Sequence, residues 1–188
     1  MQSDSKGIDG ENRMKNKLKW VQIGGLAQKF CLAIKDAVKS MCKENLLNCK
    51  SAEELIDLME KEAKLGNIPD PEIVEKMAED KKDVGLFLLA SLIHREFARY
   101  LAAKSFEKRV FIDETFGAYV KAIGLLLGVF FSIKDERIRD ELVRSLAEIE
   151  YVANKLGSEK DREYTKILRM IVLLSLKVLD TELGDNEL

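Results

Sequence analysis

Four acidic residues at helical spacing are the first candidates for chemistry in this chain, Glu54 with Asp57 and Glu72 with Glu75. Carboxylates three apart share one face of a helix, and two such pairs on facing helices can hold magnesium for phosphate hydrolysis. Residues 51–83 contain eleven acids, however, so pairs of this kind arise from composition alone. Glu54 has a second use in Ser51-Ala-Glu-Glu54, whose end residues can cap each other at a helix start. Solvated acidic faces are the simpler expectation.

His94 is the single histidine and so the one imidazole available for nucleophilic or metal chemistry. Ser91 lies one turn before it, which rules out the Glu-x-x-His pair of di-iron helical bundles, and no acid stands four positions before His94. The Arg-to-His spacing of HEPN-type ribonucleases fails too, since residues 87–89 are Phe, Leu and Leu. His94 is expected to be a half-exposed structural residue on a narrow polar stripe with Ser91, Arg95 and Arg99.

Cys31, Cys42 and Cys49 match no zinc template, and three cysteines cannot all pair within one chain. Their spacings of eleven and seven return all three to one helical face, which predicts buried or half-buried structural thiols. The chain has no Gly-rich phosphate loop, nucleophile elbow or dinucleotide fingerprint. No catalytic residue, metal ligand or cofactor is assigned, and the chain leans away from enzymes.

Charge is distributed unevenly along a chain whose net charge is only −2. Residues 1–50 carry ten Lys/Arg against five acids, whereas residues 51–83 carry eleven acids against five lysines. Lys35, Lys39, Lys43 and Lys50 share a face if the first helix extends that far, and such a row can track phosphates of a nucleic acid. Compensation between the basic and acidic segments, within or between subunits, is simpler.

The elements that would position these residues are helices. Apolar residues make up 46% of the chain and charged residues 34%, with two prolines, a usage typical of all-α proteins. Scarce Gln and His beside abundant Lys and Glu point to a heat-adapted source. Residues 1–14 read as a disordered tail with no apolar signal segment, so a cytoplasmic protein is expected. Residues 15–188 form one expected domain, with a composition change near 83/84.

Trp20, Ile23, Ala27, Phe30, Ile34, Val38 and Met41 predict a long amphipathic helix over about 16–47. A second helix starts at Ala52 and stops at Gly66. Asp70 then caps a short helix with Pro71 at its first position. Val84–Phe106 reads as a largely buried helix, and a helix from Glu114 to Ile133 follows, capped by Asp113. Asp135–Leu156 is the cleanest amphipathic pattern, and Ser158 opens a last helix with an apolar stripe of Tyr164, Ile167, Leu168, Ile171, Leu174 and Val178. The expected fold is therefore all-α, about seven helices in an antiparallel bundle with a long N-terminal amphipathic helix.

The segment Ala122–Ile133 is uncharged and carries Gly124 and Gly128 four apart, with Gly117 on the same side. Twelve residues span about 18 Å, short of the about 30 Å of a bilayer core, and an earlier start brings Lys121 inside, so a membrane span is not expected. Each interior glycine costs about 1 kcal/mol relative to alanine, and a close backbone approach would offset that. The glycine face can cross another helix of the same bundle, meet a second subunit, or edge a small-ligand groove beside Lys121. The best functional expectation is a soluble interaction or scaffold protein, acting through helix contacts as a homo-oligomer or as a subunit of an assembly. The alternatives are a nucleic-acid-associated subunit using Lys35, Lys39, Lys43 and Lys50, and a helical hydrolase with carboxylate-bound magnesium.

Overall fold

The computed structural model describes residues 18–43 and 49–184, so the expected tail over 1–14 lies outside it. In chain order the elements are β1 (Trp20–Gln22), a 3-10 turn (Gly24–Leu26), α1 (Ala27–Cys42), α2 (Lys50–Ala63), β2 (Asn67–Pro69), α3 (Pro71–Lys81), α4 (Val84–Lys108), α5 (Ile112–Ile133), α6 (Glu136–Leu156) and α7 (Glu159–Gly184). The fold is all-α with one minimal sheet. Two compact units divide between Glu96 and Phe97, inside α4 and beyond the composition change near 83/84.

In the first unit the long N-terminal helix is interrupted. Trp20–Gln22 pairs antiparallel with Asn67–Pro69, Val21 opposite Ile68. The chain then turns through Gly24 at φ +67°, a conformation that glycine alone adopts without strain. The Gly66 carbonyl accepts from the backbone N–H groups of Ile23 and Gly24 at 2.9 and 3.0 Å. Residues 67–69, read as part of a turn, are thus a strand, because they satisfy backbone groups of a segment 45 to 49 residues away. From Ala27 the periodicity holds, with Ala27, Phe30, Ile34, Val38 and Met41 all buried and α1 packed on α2.

The helix starts follow competition for hydrogen bonds. Asp70 caps α3 as expected, accepting from the Glu72 N–H at 3.0 Å, with Pro71 first in the helix. The capping box at Ser51 does not form, since α2 begins at Lys50 and the Ser51 hydroxyl donates to Asp83 Oδ2 at 2.7 Å. Asp83 Oδ1 accepts from the Leu86 N–H at 3.1 Å, so one carboxylate serves the starts of two helices.

In the second unit α5 packs on α6, and α6 on α7, through two-residue connections that make neighbours antiparallel. Asp113 does not cap α5, which begins at Ile112 behind Phe111 at φ 61°. Ser158 and Asp161 cap α7 reciprocally, each side chain accepting from the other's N–H, at 3.3 and 2.7 Å. Ile138, Leu142, Leu146, Ile149, Val152, Ala153 and Leu156 of α6 are buried along the predicted stripe.

Asp135 caps α6 by accepting from the Arg137 N–H at 2.9 Å, and it also accepts from the Arg137 guanidinium at 2.9 and 2.6 Å. The Arg137 side chain holds the Asp135 carboxyl below the usual carboxylate range, burial opposing it. A lowered folded pKa contributes stability that is present above about pH 4 and lost as pH falls through the lowered value. Asp135→Ala is expected to cost about 1 kcal/mol at neutral pH. Urea titrations of parent and variant should converge at acid pH.

Candidate interaction surface

The polar stripe of α4 is buried from Ser91 to Arg95 and half-buried at Arg99, and this corrects the half-exposed reading of His94. Ser91, His94 and Arg95 are at most 3% exposed. The hydroxyl of Ser91 donates to the Leu88 carbonyl at 2.6 Å, so it does not serve His94 as a nucleophile would. The imidazole of His94 instead meets Glu75 Oε2 at 2.9 Å, a carboxylate from α3 that no local spacing rule could supply. Glu75 is thereby engaged while Glu54, Asp57 and Glu72 are exposed. Among the described residues no three His, Cys, Asp or Glu side chains converge as a metal ion needs.

The basic row is divided between elements. Lys35 on α1 pairs with Glu60 of α2, compensation between basic and acidic segments within the chain. Lys39 and Lys43 are exposed at the end of α1, and Lys50 opens α2. The cysteines do not share a helical face either. A disulfide joins Cys42 to Cys49 with Cα atoms 5.9 Å apart, a separation usual for such bonds. Cys31 is a buried free thiol, and burial pushes its pKa up to about 11, which keeps it neutral and unreactive.

The second unit presents two outward faces. On α5 the side opposite the glycines, which helical spacing gives to Tyr119, Ile123, Leu126, Phe130 and Ile133, faces inward, the first four buried and Ile133 half-buried. Gly117, Lys121, Gly124 and Gly128 are exposed on the other side. A Cβ built on any of the three glycines has no described atom within 4 Å, so no crossing among the described residues accounts for them. By length and composition α5 could cross a membrane, and 44% of its apolar window is buried in its own fold.

The second face is on α7 and reverses the expectation for that helix. Among its described side chains, Thr165, Val172 and Leu176 are buried. Arg169 pairs with Glu150 of α6 at 2.9 Å on the same side. Of the predicted apolar stripe, Leu168 is half-buried while Tyr164, Ile167, Ile171, Leu174 and Val178 point away, and with Met170 beside them these are between 49% and 61% exposed. Periodicity locates an apolar face but not what covers it.

An open cleft of the second unit is lined by Arg99, Ala102, Phe106, Tyr119, Glu148 and Tyr151. Its charges are matched internally. The Arg99 guanidinium grips Glu148 with two hydrogen bonds, one of them at 2.9 Å, and the Tyr119 hydroxyl donates to the same carboxylate at 3.3 Å. Arg99 stood out in sequence as a charge in an apolar helix, but its partner lies 49 residues away.

Comparison with known proteins finds no matching family, no similar curated protein and no similar solved structure.

Proposed function

We propose that this chain is a soluble helical interaction protein that works by self-association or as a subunit of a larger assembly. The observation that supports it is the outward apolar face of α7, six large side chains about half exposed along one line. A contiguous exposed apolar patch of this kind costs solubility unless a partner covers it. The glycine face of α5 offers a second surface onto which a backbone can approach closely. The alternatives have less behind them, since Lys35 is engaged by Glu60 and Glu75 by His94.

Light-scattering mass measured up to high micromolar concentration, together with binding of an apolar fluorescent dye, tests the reading. Expected is a mass above 21.4 kDa, or a monomer whose dye binding falls in Ile167→Gln/Leu174→Gln. A strictly monomeric chain that binds no dye would overturn it.

A further inference from the structure

Resting on that reading, we propose that α7 pairs with α7 of a second copy of this chain, antiparallel, about a two-fold axis beside Met170. Tyr164, Ile167, Ile171, Leu174 and Val178 are exposed and separated by three, four, three and four residues. That alternation is the seam of a helix that packs along another at a shallow angle, with Tyr164, Ile171 and Val178 at the first core position of the heptad and Ile167 and Leu174 at the second. The buried residues Thr165, Val172 and Leu176, with the Arg169–Glu150 pair, hold the opposite side of α7 to its own bundle. The seam is therefore available without repacking the subunit.

Charge chooses the occupant and its direction. The residues immediately before the first core positions are Glu163, Met170 and Lys177, and Glu163 and Lys177 are exposed. In an antiparallel pair, first-position residues pack against second-position residues across the seam. The register that sets Ile171 on Ile167 of the partner subunit, and Leu174 on Tyr164 of the partner subunit, fills four central layers by symmetry. The same register brings Glu163 opposite Lys177 of the partner subunit twice, and sets Met170 against Met170 of the partner subunit on the axis. Slipping by one heptad would lose both ion pairs. From residue 164 to 178 the seam is about 21 Å long, at the small end of specific interfaces, so a concentration-dependent dimer is expected.

Full-length protein tests this by sedimentation equilibrium and cysteine cross-linking. Glu163→Lys and Lys177→Glu should each weaken the dimer about tenfold by setting like charges together at two symmetric places, and the double exchange should restore it. Met170→Cys should oxidise to a covalent dimer, because Cys31 is buried and Cys42 and Cys49 are already bonded. Cross-linking through Ile171→Cys but not Met170→Cys would mean a parallel pair and overturn the proposal. A dimer indifferent to all of these changes would also overturn it while leaving an interaction protein with another interface. A monomer at every concentration overturns it as well, and loss of dye binding in addition would remove the broader reading.

Discussion

Gly117→Ala/Gly124→Ala/Gly128→Ala is expected to melt higher than the parent. Each added methyl group enters open space, and each replacement removes backbone freedom from the unfolded chain worth about 0.5 to 1 kcal/mol in a helix interior. The three sites lie on separate turns of α5 and their effects should add to about 2 to 3 kcal/mol, or roughly 5 to 10 °C for a chain of this size. Differential scanning calorimetry on dilute protein measures this directly. The outcome also reports on the glycine face. If a second backbone rests there, the methyl groups separate the helices, and stability should fall together with mass at higher concentration. A variant that is neither more stable nor altered in mass would show that exposed backbone at these positions is not the reason for the propensity loss.

Reduction of the Cys42–Cys49 disulfide is expected to lower stability by about 2 kcal/mol, the entropy returned to the unfolded chain when a short loop is released. The effect should appear in the first unit, which contains α1 and α2, and Cys42→Ser/Cys49→Ser should reproduce it without reductant. Thiol titration provides the accompanying control. Native protein should yield no fast-reacting thiol, denatured protein one from Cys31, and denatured reduced protein three. A reactive thiol in the native oxidised protein would contradict the burial that raises the Cys31 pKa. Such a bond suits an oxidising compartment or the interior of a heat-adapted cell.

Much of this architecture is present in local sequence because helix periodicity and capping depend on residues within a turn or two. The buried stripes of α1 and α6, the Asp70 cap, the Ser158 start of α7, and the inward and outward sides of α5 follow from such spacing. What tertiary structure alone decided is how competing partners were assigned. Ser51 had a sound local use as a cap, but Asp83 offered its hydroxyl a carboxylate. Trp20–Gln22 had helical spacing, but a strand 45 to 49 residues away and a glycine at positive φ diverted it. His94 had no acid four positions before it in its own helix, and α3 supplied one. The same limit governs the candidate site. An apolar stripe records that burial would be favourable, yet the energy is the same whether the cover comes from its own chain or from another. For α7 the fold placed Thr165, Val172 and Leu176 inward against α6 and left the larger apolar stripe exposed, because contact with α6 is made through a narrower face.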